Sequence, residues 1–189
     1  MSGSPAEQTR RLFFALWPDA GQQAALALAA REAIQSVEGR AVPAGNLHLT
    51  LAFLGSVPER RIPELTALAR SLRGVPDHEA PLRFSFAHLE HWRRAQVLCA
   101  TPEVTSAGAV ALAEALQAAL VAASFAPDLK PFRTHVTLAR KVRHASQQLG
   151  MRPVSWSFSS FALVESRTQI DGVLYSALDS WELSRLHSV

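Results

Sequence analysis

The stretch NLHLTLAFLG, residues 46–55, is an apolar strand interrupted by two polar side chains two residues apart. Side chains on a strand alternate between faces, so His48 and Thr50 share one face while Leu49, Leu51 and Phe53 share the other. One face is built for a core, and the other presents an imidazole beside a hydroxyl. RTHVTLARKV, residues 133–142, repeats the device: His135 and Thr137 lie on one face, Val136 and Leu138 on the other. A histidine followed two residues later by Ser or Thr arises by chance in a chain with seven histidines, and HAS at 144–146, in a polar loop, is such a case. Two copies that are each followed by Leu within a strand carry more weight.

Working outward, RLFFALWP (11–18) has the apolar and aromatic character of a buried strand ended by Pro18. Asp19 can cap a following helix, along which Leu26, Ala30, Ile34 and Val37 recur at helical spacing until Gly39 closes it. A second helix is predicted over 57–74, with Pro63 in its first turn and Gly74 at its end. LRFSFAHLEHW (82–92) alternates as a strand, and AQVLCAT (95–101) is its hairpin partner. An Ala-rich helix over 105–123 follows, with its packing expected on its own sheet, then a Pro-punctuated loop and the second His-x-Thr strand. Strand, helix and His-x-Thr strand thus occur twice, as in a diverged duplication. The remaining segment supplies two or more strands around the turn-forming Asp171-Gly172. The fold class expected is α+β, two-lobed and pseudo-symmetric, mostly antiparallel, with helices on the outer faces. Approximate two-fold symmetry would set the two His-x-Thr strands side by side and bring both pairs to one cleft.

The chain has 189 residues, 48% of them hydrophobic, enough for one domain with a real core. Residues 1–9 are expected as a flexible tail and 10–189 as a single duplicated domain. The longest apolar run, AALALAA at 24–30, is too short for a bilayer, and the N-terminus is polar, so a cytoplasmic protein without a membrane partner is expected. Net charge is +3, with Lys130 and Lys141 the only lysines. Arginine suits bidentate phosphate contact, although codon bias explains most of this usage, and charge permits a nucleic-acid partner without requiring one. The lone Cys99 excludes an internal disulfide and reads as a buried, inert thiol. His88 and His91 flank Glu90, but not with the helical spacing of a metal site, and read as solvated edge residues. Phe13, Phe14 and Trp17 could stack on a nucleobase, though core positions suit most of them better. No metal and no cofactor is expected.

Through RLFFALWP, NLHLTLAFLG, FRTHVTLAR and the closing FALVESRTQIDGVLYSALDSWEL, the sequence resembles the bacterial and archaeal RNA 2′,3′-cyclic phosphodiesterases, also called 2′-5′ RNA ligases, of the two-histidine phosphoesterase superfamily. The resemblance implies that His48 and His135 are catalytic and that Thr50, Thr137 and Arg140 bind substrate. Strict alternation, however, would put Arg140 on the face opposite His135. It further implies opening of a cyclic phosphate at O3′ to leave a 2′-phosphate, with His48 as acid and His135 as base; spacing alone does not assign those roles. The partners implied are RNA ends or nucleotides carrying a 2′,3′-cyclic phosphate, with no obligate protein partner and a monomeric state. A small cyclic nucleotide ester as substrate, or an RNA-end-binding module without turnover, stand as alternatives.

Overall fold

A computed structural model describes residues 7–75, 81–145, 150–170 and 172–183. Two antiparallel sheets organise them. Strand β1 (Thr9–Leu16) leads to Asp19, whose carboxylate takes the Gln22 N–H at 2.8 Å while the Gln22 side chain accepts the Asp19 N–H at 3.1 Å. This reciprocal cap satisfies two otherwise orphaned donors and starts α1 (Ala20–Ala29). The helix breaks at Ala30, and α2 (Arg31–Gln35) ends it before Gly39. Gly39 serves another purpose than closing the helix: a Cβ there would lie 2.7 Å from Val142 Cγ2 and 3.0 Å from the Arg140 carbonyl. The chain crosses to the second sheet at that point as β2 (Arg40–Ala41), then returns as β3 (Leu49–Pro58).

Helix α3 is shorter than predicted, Ile62–Ser71, because Val57 and Pro58 finish β3 and a 3₁₀ turn fills Glu59–Arg61; Pro63 does sit in its first turn. The hairpin of β4 (Leu82–Trp92) and β5 (Val97–Pro102) turns through Gln96, which adopts φ +53°. Ser106 caps α4 (Ala107–Ala122), and β6 (Val136–Arg140) carries the second motif. The C-terminal segment divides between sheets. β7 (Val154–Phe158) pairs with β4, whereas β8 (Ser160–Gln169) and β9 (Gly172–Glu182) join β1. The sheet orders are β3-β1-β8-β9 and β2-β6-β5-β4-β7. Asp171 of the predicted turn and Ser146 of the HAS tripeptide lie outside the described residues, as do residues 1–6 of the predicted tail. Its last residues are engaged: Glu7 pairs with Arg60, the Gln8 carbonyl accepts the Glu59 N–H, and Thr9 is already strand.

The two His-x-Thr strands are not side by side. Each has its own in-sheet neighbour, β1 for β3 and β5 for β6, so the motifs sit on different sheets. The helices pack crosswise. α1 follows β1 but lies on β7 of the other sheet, where the Trp156 indole donates to the Gln22 carbonyl at 2.9 Å. α4 follows β5 but packs on β3 and α3, not on its own sheet as expected from sequence. One apolar cluster therefore includes Phe14, Leu16 and Phe161 of the first sheet with Phe86, Leu138 and Trp156 of the second. Each fully buried Leu or Phe in it contributes about 1.5–3 kcal/mol. Among the described residues no helix is long and apolar enough to cross a membrane.

Candidate active site

Register decides which side chains reach the cleft. Opposite β1, the pairs are Ala15 with Thr50 and Phe14 with Ala52, which leaves Leu51 as an extra residue. Opposite β5, the pairs are Cys99 with Thr137 and Leu98 with Ala139, which leaves Leu138 extra. An extra residue in one strand inverts alternation beyond it. Each motif thus bulges one residue after its threonine. Arg140 comes round to the face of His135 and Thr137, so strict alternation misplaces it, and Phe53 likewise joins His48 and Thr50 instead of the core face. His48, Thr50, Phe53, His135, Thr137 and Arg140 all line one cleft of about 660 Å³.

Both histidines are held alike. His48 Nδ1 lies 2.7 Å from the Asn46 carbonyl, and His135 Nδ1 lies 2.7 Å from the Arg133 carbonyl. A carbonyl only accepts, so in each ring Nδ1 carries a proton and Nε2 is the nitrogen left for chemistry. His48 Nε2 is 3.1 Å from Thr50 Oγ1, whose hydroxyl donates to the neutral ring. The surroundings differ. Trp17 stacks on His48 at 5.3 Å and 13°, Phe13 lies 4.9 Å away, and Tyr175 meets it edge-on at 5.1 Å. Burial in this aromatic cage pulls the His48 imidazole down to about 4; the Asn46 carbonyl opposes the shift, and the charges of Arg140 and His135 add to it. Burial also lowers His135, against its Arg133 carbonyl, with Arg133 and Arg140 lowering it further and Glu90 raising it. His48, His135 and Arg140 thus face one another across a single cleft lining.

Behind His135 stands Trp92, ring centroids 4.5 Å apart. Its indole donates to Glu90 at 2.7 Å, Arg133 lies 4.6 Å over its ring and 3.2 Å from the same carboxylate, and the Thr101 hydroxyl adds a bond of 3.2 Å. Glu90 is accordingly a structural anchor, not a solvated edge residue; the indole N–H is the chief reason its carboxyl lies below the ordinary range. His91 donates to the Val142 carbonyl at 2.9 Å, and His88 is exposed as expected. Among the described residues no group of three or more His, Cys, Asp or Glu side chains could hold a metal ion. Cys99 is buried beside Thr137, its partner on the neighbouring strand, and burial pushes its thiol up to about 12, so it is protonated at neutral pH. Phe13 and Phe14 are both buried, as expected for most of these aromatics, but sequence reasoning did not assign Phe13 and Trp17 their further role of caging His48. Counting by twos from Arg11 reaches Phe13, Ala15 and Trp17, the face opposite Leu12, Phe14 and Leu16, and would have found them.

Comparison with known proteins agrees with this architecture. The family model for the 2′-5′ RNA ligase superfamily matches residues 18–169. The chain belongs to the 2′-5′ RNA ligase superfamily. Within the superfamily, a relative named RNA 2′,3′-cyclic phosphodiesterase from Thermus thermophilus is 33% identical over 94% of this chain and 92% of its own length. One of the same name from Escherichia coli is 29% identical over 78% of this chain and 81% of its own. The solved E. coli LigT complexed with 3′-AMP superimposes with a TM-score of 0.81 at 27% identity, covering 94% of this chain and all of the other. These superfamily relatives place the protein among enzymes acting on phosphoric diesters, with the two-histidine phosphoesterase fold.

Proposed function

We propose that the protein hydrolyses 2′,3′-cyclic phosphate ends of RNA to 2′-phosphates, with His48 and His135 exchanging protons on either side of phosphorus and no metal ion taking part. The observation that carries this is the pair of imidazoles from different sheets, each with its Nδ1 proton fixed by a backbone carbonyl, lining one cleft with Arg140. Opening the ring needs a water activated on one side of phosphorus and the departing ribose oxygen protonated on the other, roughly in line. A neutral Nε2 supplies the base, and a protonated Nε2 supplies the acid. Thr50 and Thr137 donate to the non-bridging oxygens and Arg140 balances the charge that grows there, each charged hydrogen bond worth about 1.5–3 kcal/mol. Replacing either histidine by alanine is expected to lower turnover of a cyclic-phosphate oligoribonucleotide by about 10² to 10⁴-fold. Near-normal rates in either variant would refute the proposal. Turnover is expected to persist in a chelator, and a requirement for divalent metal would contradict it. Phosphorus NMR of reactions with 2′,3′-cyclic AMP and with a cyclic-ended oligomer separates RNA-end hydrolysis from turnover of small esters alone and from binding without chemistry.

Resemblance assigns His48 as acid and His135 as base. For that role His48, neutral in the open cleft, must gain a proton as the phosphodiester anion arrives, and an anion beside Arg140 favours that uptake. The depth of the His48 shift supports a second reading, with His48 as base. A nucleoside 2′-(4-nitrophenyl phosphate) distinguishes them, because phenolate departs without a proton. The variant lacking the acid retains activity on it, and the one lacking the base does not.

With a 5′-hydroxyl in place of water, the same side chains in the same roles would join it to the cyclic phosphate as O3′ departs, leaving a 2′-5′ diester.

A further inference from the structure

On the face turned to the cleft, the two His-x-Thr motifs differ at one matched position. Where β6 turns Arg140 into the cleft, β3 turns Phe53, so the first sheet has no cation on its own motif strand. Arg11 of the neighbouring strand β1 lies in the same cleft, with its guanidinium carbon 4.8 Å from the centre of the Phe53 ring. A guanidinium seated on an aromatic face keeps its N–H edge turned outward, the geometry that grips two phosphate oxygens together. No neighbour uses that edge: Arg11 is exposed, and its side chain has no ion pair or hydrogen bond among the described residues. The acid that lines this end of the cleft, Asp128, is held by Lys130 through Nζ at 2.8 Å and through the backbone N–H at 3.3 Å.

Resting on the function proposed above, we infer that Arg11, seated on Phe53, binds a second phosphate of the RNA strand, the diester joining the reacting nucleotide to its 5′ neighbour. The reacting phosphate already has Thr50, Thr137 and Arg140, and a second guanidinium in the other half of the same cleft serves a second charge. A cyclic mononucleotide has no such charge to offer, so the protein discriminates strands from mononucleotides through this contact.

Three substrates test it: 2′,3′-cyclic AMP, the dinucleotide ApA ending in a 2′,3′-cyclic phosphate, and that dinucleotide with its internal phosphate replaced by an uncharged methylphosphonate. The expected kcat/KM of the unmodified protein is higher for the charged dinucleotide than for the neutral one by about 10- to 100-fold, the range for a charge-assisted hydrogen bond. In Arg11→Gln that ratio falls towards 1, and in Arg11→Lys part of it returns. A ratio near 1 in the unmodified protein, or one unchanged by Arg11→Gln, overturns the inference, as does an equal loss on both dinucleotides. Calorimetric binding of the two corresponding 2′-phosphate products makes the same comparison without turnover. Absence of turnover on all three substrates would therefore strike the hydrolase proposal, while equal product affinities would strike the role of Arg11.

Discussion

At the scale of the residue, the two histidines begin with the same backbone bond and end in different environments. His48 has the lower affinity for a proton because three aromatic rings replace water around it. The consequence for stability has a definite sign. Above pH 6.5 the ring is neutral folded or unfolded; between 6.5 and about 4 only the unfolded chain takes up the proton. Folding stability is therefore lost as the pH falls through that window, on the order of 3 kcal/mol from this ring. Denaturation of His48→Gln beside the unmodified protein across pH 4–7 checks it: the variant is expected to show the shallower loss. For catalysis, the bound phosphodiester anion favours the protonated rings, so the profile of kcat against pH is expected at higher pH than that of kcat/KM. Coincident profiles would show that the bound anion leaves these protons untouched.

At the scale of the element, a strand was readable where a bulge was not. The alternation around His48 and His135 announced a polar face, and Asp19 stood where a helix begins. Leu51 and Leu138 carry no mark of being extra, since a bulge is set by what lies opposite, and the partner strand is missing from any local window. Arg140 was for that reason placed by resemblance against alternation, and Phe53 was given to the core. The double variant Ala139→Arg, Arg140→Ala tests the bulge in solution. Unbroken alternation would return the guanidinium to the cleft and keep activity. The observed register instead directs it into the core beside Ala33 and Leu98, so turnover is expected no higher than in Arg140→Ala alone. The denaturation midpoint is also expected to fall, because a buried unpaired charge costs several kcal/mol.

Across the whole molecule, helices that cross to the opposite sheet tie the two sheets into one core. Leu116 of α4 is fully buried in that cluster, and Leu116→Ala is expected to cost about 2–5 kcal/mol. Because both sheets share the cluster, calorimetry is expected to show one transition that moves down as a unit, and two separable transitions would contradict a common core. The order of elements, with strand, helix and His-x-Thr strand occurring twice, was legible. The route of the C-terminal segment was not: β7 goes to one sheet and β8 to the other, although only Ser159 separates them. β7 alternates apolar and polar residues while β8 opens on the continuous apolar run Phe161, Ala162, Leu163 and Val164, and either pattern records burial without recording which partner provides it.

The ring pairs Trp17 with His48 and Trp92 with His135 give each lobe a built-in optical reporter. An imidazolium quenches a neighbouring indole more strongly than a neutral ring does, so emission follows the local proton. With Trp92→Phe leaving one lobe bright and Trp17→Phe the other, the protonation of each imidazole can be followed separately, and the proton exchange proposed for the two rings timed side by side, with Trp156 and Trp181 as a steady interior background.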